Sequence, residues 1–171
     1  MTRSISRFAR SAAVTIGAAG VMVATHAAAA PSNLAMAEAI WRLRAALNVA
    51  ALQCQFDPEL KIVERYNAFL KHHGAEISSA RQRLVSTSGG EAAFDRYNTR
   101  TYNSFSAFEN QVPFCHKASQ VSEASLALPA SRLRDLAPQA IGEIAAFFPT
   151  PPVPLPVKVA AAAPKKKRVA K

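Results

Sequence analysis

Apolar residues recur every three or four positions over residues 35–54, which is the spacing of one face of an α-helix. Alanine is abundant in this stretch, and glycine and proline are absent, so helix propensity agrees with the pattern. The sequence therefore predicts a first helix over 35–54. Its apolar stripe comprises Met36, Ile40, Leu43, Leu47, Ala50 and Cys54.

A second helical pattern begins at residues 57–59, Asp-Pro-Glu, which form a favourable helix start. The aspartate can cap the helix, the proline needs no N–H at the first position, and the glutamate puts a negative charge in the first turn. This pattern predicts a helix over 58–85 that ends in the stretch 86–90. Gly74 weakens the helix by roughly 1 kcal/mol relative to alanine and marks a site for a bend or a close contact.

A third apolar pattern runs over residues 94–115 and predicts another long helix, which Pro113 should break or kink near its end. Residues 118–128 are rich in serine and alanine and predict no definite element. A shorter last helix is expected from Ala137 or Pro138 to Phe148. Its buried face would contain Ile141, Ile144 and Phe148.

Convincing strand patterns are lacking, so the predicted fold class is all-α. We expect an up-down bundle of three long helices and one shorter C-terminal helix over residues 30–148, which is long enough for one core.

The first 29 residues have the layout of a secretory signal peptide. A basic start is followed by an apolar run over 12–24 and by an alanine cluster, with cleavage expected after Ala29. The apolar run is shorter than the roughly 20 residues that cross a bilayer as a helix. The alternative is an uncleaved N-terminal anchor. Export predicts a periplasmic or secreted protein.

The positive charge is concentrated at the two ends of the chain. The formal net charge is +10, but three basic residues belong to the leader and six to residues 149–171. Twelve remain against eleven acidic residues, so the body carries about +1 and lacks the basic surface that nucleic-acid binding requires.

Residues 149–171 are rich in proline, alanine and lysine, which predicts a disordered basic tail. The ending Pro-Lys-Lys-Lys-Arg-Val is similar to a nuclear-import signal, but an exported chain does not meet the import receptor. In an envelope the tail would contact anionic components or a partner protein, or would serve only to keep the protein soluble. The cationic residues concerned are Lys165, Lys166, Lys167, Arg168 and Lys171.

Cys54 and Cys115 are the two cysteines of the chain. Each lies on an apolar stripe at the C-terminal end of a predicted helix, so an up-down arrangement would bring both to the same end of the bundle. Because an oxidising compartment favours cystine formation, we expect a disulfide. Two buried free thiols are the alternative.

Motifs for catalysis or for a cofactor are weak. His72 and His73 are adjacent, and on a helix they point about 100° apart, so they cannot chelate a metal as a pair. Glu76 is the candidate catalytic residue, but no second carboxylate or flanking enzyme motif supports it. The sequence therefore predicts no metal, no cofactor and, on balance, no catalysis.

Tyrosine-asparagine pairs recur on the second and third predicted helices. Such aromatic residues at helical spacing most often belong to the core, with their polar ends bonded between helices. The alternative is a ligand groove between the two helices. Its lining would comprise Tyr66, Tyr97, Tyr102 and Asn103.

These pairs, together with Ala-Leu-Gln-Cys at 51–54 and Phe-Cys-His at 114–116, resemble a group of small exported alphaproteobacterial helical proteins. The resemblance covers residues 41–116 and implies export and a helical fold. It assigns no functional residues.

Two functional hypotheses follow. The first is a non-catalytic periplasmic module, held by a disulfide, whose basic tail contacts envelope anions or a partner protein. The second is an enzyme acting on the cell wall or on a small molecule, or a ligand-binding protein that uses the groove.

Overall fold

The computed structural model describes residues 32–107, 110–149 and 155–156. This part of the chain is all-helical and contains no strand, as predicted. The predicted signal peptide lies outside the described residues, as does most of the predicted tail. The helices are α1 (Asn33–Gln53), α2 (Ile62–His72), α3 (Gly74–Ser88), α4 (Glu91–Ser104), α5 (Gln111–Leu126) and α6 (Leu133–Ala145), with short 3₁₀ helices at Pro58–Leu60 and Ala130–Arg132.

Helix α1 is the centre of the fold. Ser32 caps it, because the hydroxyl accepts a hydrogen bond from the backbone N–H of Ala35 at 3.2 Å. The five other α-helices of the described residues all pack against it. The sequence predicted a single apolar stripe, but α1 is buried around most of its circumference, as expected for a helix enclosed by others. Its buried residues are Ala37, Ala39, Ile40, Trp41, Leu43, Ala45, Ala46, Leu47, Val49, Ala50 and Ala51.

The second predicted helix is divided into three parts in the structure. Asp57 does cap a helix, since its carboxylate accepts a hydrogen bond from the backbone N–H of Glu59 at 3.1 Å. The helix that it caps is a short 3₁₀ turn and not the predicted long α-helix. Lys61, with φ of 47°, then ends that turn and precedes α2. A further break lies between His73 and Gly74, where a bend was expected.

The predicted length of the third helix was wrong. The structure has two helices there, α4 and α5, separated by residues 105–110, and α5 continues to Leu126 through the stretch for which the sequence predicted no definite element. Pro113 was expected to break the helix near its end, but it lies in the first turn of α5. A proline is tolerated there because first-turn N–H groups have no acceptor within the helix.

The last helix begins earlier than predicted. Helix α6 starts at Leu133, after the 3₁₀ turn, and Pro138 lies inside it instead of at its start. Its apolar face is buried against α1 and α5, and it includes Ile141 and Ile144 as expected. Phe148 lies beyond the helix end, where its ring packs edge-on against Phe105 at 5.2 Å between centroids.

Helices α2 and α5 run in the same direction, which differs from a strict up-down bundle. The Ser119 hydroxyl donates to the Leu60 carbonyl at 3.1 Å, and farther along both helices the His73 ring lies 3.0 Å from the Ser125 carbonyl. The connection over residues 105–110 makes this possible, because α5 begins beside the C-terminal end of α1. There the Gln111 side chain donates to the Gln53 carbonyl at 2.6 Å.

The predicted disulfide joins Cys54 and Cys115, whose Cα atoms are 5.6 Å apart. Both residues are fully buried. The pairing was predicted correctly but for a partly wrong reason: Cys54 follows the end of α1, whereas Cys115 lies near the beginning of α5. The bridge therefore ties the last turn of the central helix to the start of α5. None of the described helices combines the length and the apolar character needed to span a bilayer.

Enlarging a residue on the enclosed helix should destabilise the fold. Ala46 is fully buried, so Ala46→Leu adds side-chain volume where neighbouring helices leave no room, and we expect a loss of about 1–3 kcal/mol in the free energy of unfolding. Ala35→Leu is the matched control, because Ala35 lies on the same helix but is exposed. Urea unfolding of both variants measures the difference, and equal midpoints would contradict the enclosed position of α1.

Loss of the disulfide should lower stability substantially. The bridge closes a loop between residues 61 positions apart, and a loop of this size corresponds to about 4 kcal/mol of constraint on the unfolded chain. Urea unfolding of the oxidised protein, the reduced protein and the Cys54→Ala/Cys115→Ala variant tests this. The reduced protein and the variant should unfold at similar urea concentrations, both well below the oxidised protein. Coincident transitions for the oxidised and reduced proteins would refute the bridge.

Candidate functional site

A polar cluster lies where α1 meets α4. Glu38 and Arg42 stand one turn apart on α1, and Tyr97 of α4 donates its hydroxyl to Glu38 Oε1 at 3.3 Å. The same carboxylate oxygen accepts the backbone N–H of Leu155 at 3.1 Å. Tyr97 is fully buried and Leu155 is 6% exposed. A residue of the C-terminal segment is therefore seated on the helical body.

Burial sets the electrostatics of this cluster. The pKa of Tyr97 is raised, first because burial disfavours the phenolate and second because the Glu38 carboxylate is close. Burial also lowers the pKa of Arg42, although the proximity of Tyr97 and Glu38 opposes that shift. Within the described residues, the Arg42 Nε atom is buried and has no hydrogen-bond acceptor. The Glu38 carboxylate thus accepts two hydrogen bonds, whereas the Arg42 Nε–H is unpaired in that part of the chain.

The four residues of the predicted groove do not form one site. Tyr66 is buried, and the Arg44 guanidinium and the Tyr102 hydroxyl lie close enough to influence its pKa, which burial raises. Arg44 donates to the Tyr102 hydroxyl at 2.5 Å. Tyr97 instead belongs to the Glu38 cluster, and Asn103 is exposed. The tyrosines are therefore packed or bonded between helices.

Glu76, the candidate catalytic residue, lies in the first turn of α3 with its side chain 17% exposed. One carboxylate oxygen faces Arg134 Nε at 3.9 Å, whereas the other is buried and has no hydrogen-bond partner in the described part of the chain. The side chain borders a cleft of about 50 Å³ and an adjoining depression of about 350 Å³. Other lining residues are Asn33, Ser79, Arg83, His72, His73 and Ser131. A second carboxylate is not among the residues that line either space.

The adjacent histidines hold the end of α5. His73 is fully buried, and its two ring nitrogens lie 3.1 Å from the Ala130 carbonyl oxygen and 3.0 Å from that of Ser125. The ring of His72 lies 2.8 Å from the Leu128 carbonyl oxygen. The break between α2 and α3 thus binds the carbonyl-rich end of α5 and the turn that follows. Within the described ranges no cluster of three His, Cys, Asp or Glu side chains could hold a metal ion.

Sequence reasoning missed the Glu38 cluster. Glu38 and Arg42 are an acid and a base four positions apart, a common stabilising pair on a helix surface, so their local pattern does not distinguish a special role. Leu155 was assigned to the disordered tail because prolines surround it. Its burial corrects that assignment for this residue, while residues 150–154 and 157–171 lie outside the described part.

Comparison with protein-family models, with curated proteins and with solved structures gives no match for this chain.

Alkaline pH should destabilise the fold through Tyr97 and Tyr66. Their folded-state pKa values are raised above the usual 10.0. The resulting stability is complete below the unfolded pKa and is lost as pH rises through the folded pKa. The free energy of unfolding should therefore fall above about pH 10. Urea unfolding across this range measures the slope, which Tyr97→Phe should reduce; an unchanged slope would contradict the assignment.

Removing the His73 ring should destabilise the protein more than removing an exposed histidine. His73→Ala leaves the buried carbonyls of Ser125 and Ala130 without that partner, so we expect a loss of about 3 kcal/mol. The control is His116→Ala on the exposed side of α5, expected to change stability by less than about 0.5 kcal/mol. Thermal and urea unfolding of the two variants provide the measurement. Comparable small losses would show that the His73 contacts contribute little.

Proposed function

We propose that this chain is an exported, non-catalytic helical module of the periplasm or the extracellular space. In this proposal the basic end of the chain, residues 165–171, binds anionic envelope components or a partner protein. The observation that carries it is the buried bridge between Cys54 and Cys115, because such bridges form and persist in oxidising compartments. The signal-peptide pattern at residues 1–29 agrees with this, and the proposal includes removal of those residues.

The positions of the polar side chains support a binding role over catalysis. Tyr97 is bonded to Glu38, and both ring nitrogens of His73 face carbonyl oxygens, so these groups already have structural partners. A general base must reach a substrate proton with a free nitrogen or oxygen. Under this proposal the helical body therefore serves as a stable support for the basic end.

A second candidate function is an enzyme or ligand-binding protein that acts through Glu76. The observation that favours it is the buried carboxylate oxygen, which has no partner among the described residues and lies next to a cleft that also contains Arg83 and Arg134. Incubation with purified peptidoglycan and mass analysis of released fragments tests the enzymatic form. Release of fragments by the natural protein, but not by Glu76→Gln, would favour this candidate over the first.

Anionic vesicles provide the direct test of the basic end. We expect the protein to bind vesicles of phosphatidylglycerol and phosphatidylcholine at about 0.01 M salt and to bind more weakly at about 0.15 M salt. Each lysine near an anionic surface contributes on the order of 1 kcal/mol. Replacement of Lys165, Lys166 and Lys167 by glutamine should therefore weaken binding by about two orders of magnitude. Vesicle sedimentation over a range of lipid concentrations measures this.

The matched control replaces three exposed cations of the body, Lys71, Arg96 and Arg100, by glutamine. This variant loses the same formal charge but should bind nearly as well as the natural protein. Equal weakening in both variants would show that net charge, and not the C-terminal end, drives binding. Cell fractionation and N-terminal sequencing test export separately, with a mature start at Ala30 expected. A cytosolic product that retains Met1 would refute the proposal.

A further inference from the structure

Leu155 is separated by 117 positions from the helix residue that it contacts, yet it belongs to the hydrophobic core. Its side chain is 6% exposed, and its backbone N–H donates to Glu38 Oε1 at 3.1 Å. The residue thus has two independent attachments to the body. One is burial of a leucine side chain, and the other is a hydrogen bond to a charged acceptor, which is stronger than one between neutral groups.

The local sequence suits this kind of docking. In Pro154-Leu155-Pro156 both prolines lack an N–H, so Leu155 provides the single main-chain donor of the three residues. The proline after Leu155 also disfavours the helical conformation at Leu155 and favours an extended one. An extended, restricted segment loses less conformational entropy when it binds than a flexible one does.

The body offers groups that match such a segment. Glu38 supplies an acceptor for the leucine N–H, and Tyr97 binds the same carboxylate oxygen from α4. Arg42 stands one turn along α1, but its Nε–H has no acceptor among the described residues even with Leu155 in place, so the contact rests on Glu38 and Tyr97.

From these contacts we infer that Glu38 and Tyr97 form a docking site for an extended Pro-Leu-Pro segment, which the chain's own Leu155 occupies. The site determines where the basic end leaves the body. Lys165 follows Leu155 by ten positions, so with Leu155 docked it extends at most about 35 Å from the site. If the chain were attached to the body only up to Pro149, Lys165 would follow the last attached residue by sixteen positions and could extend about 55 Å from it. Docking therefore limits the reach of the basic end, and this consequence rests on the proposed function.

Amide exchange in the unmodified protein tests the docking itself. The Leu155 N–H should exchange with solvent at least tenfold more slowly than in a synthetic peptide of residues 149–160. A variant of the site and a matched control then test the contact. Glu38→Ala should return the Leu155 exchange rate to that of the peptide, whereas Glu64→Ala, which removes an exposed carboxylate of the body, should preserve the slow exchange. An exchange rate equal to the peptide's in the unmodified protein would overturn the inference.

Peptide binding in trans tests the specificity of the site. In the full-length Leu155→Ala variant the site lacks its leucine, so the synthetic peptide of residues 149–160 should bind at least tenfold more tightly than to the unmodified protein. The same peptide with alanine at the leucine position should bind at least tenfold more weakly. Circular dichroism verifies that the variant remains helical. Equal affinity for both peptides, or no binding to a folded variant, would overturn the inference.

Sedimentation distinguishes a segment docked within one chain from one exchanged between copies. We expect a monomer for both the unmodified protein and Leu155→Ala. A dimer that dissociates when Leu155 is replaced would assign the segment to a second copy and overturn docking within one chain. Vesicle binding is a separate readout: if Leu155 proves to be docked but vesicles do not bind, the proposed function fails while the docking site stands.

Discussion

Enclosure of α1 by the five other α-helices that the structure describes is the constraint on which the rest of the helical body depends. A helix with apolar residues around most of its surface cannot leave a side facing water without loss of stability, so the chain must place helices around it. Its many alanines allow the neighbouring helices to approach closely.

Contacts at the two ends of α5 help to hold the helices around α1. At the end of α1, the bridge between Cys54 and Cys115 joins the central helix to the start of α5. At the far end of α5, ring nitrogens of His72 and His73 lie within hydrogen-bonding distance of the carbonyl oxygens of Ser125, Leu128 and Ala130. Helix α5 is therefore attached to the end of α1 at its start and to the end of α2 at its far end.

The hydrogen bonds of two carboxylates, Glu38 and Glu76, bear on function. Glu38 joins α1, α4 and the C-terminal segment through one carboxylate oxygen. Its position gives the proposed basic end a defined point of departure from a stable body. In the described part of the chain, one carboxylate oxygen of Glu76 is buried without a hydrogen-bond partner and borders a cleft, so Glu76 remains the residue on which the alternative function depends.

The sequence by itself determined the all-helical class, the apolar positions of α1, the bend near Gly74 and the cystine. These depend on helical spacing, on residue propensity and on the presence of two cysteines. Only the tertiary structure decided the division of the third predicted helix, the parallel course of α2 and α5, and the pairing of Glu38 with Leu155. Neighbouring residues encode local conformation, but the partner of a buried carboxylate depends on which distant segments are packed together. From its proline neighbours Leu155 was predicted to belong to a disordered tail, but its burial and its hydrogen bond to Glu38 place it in the hydrophobic core.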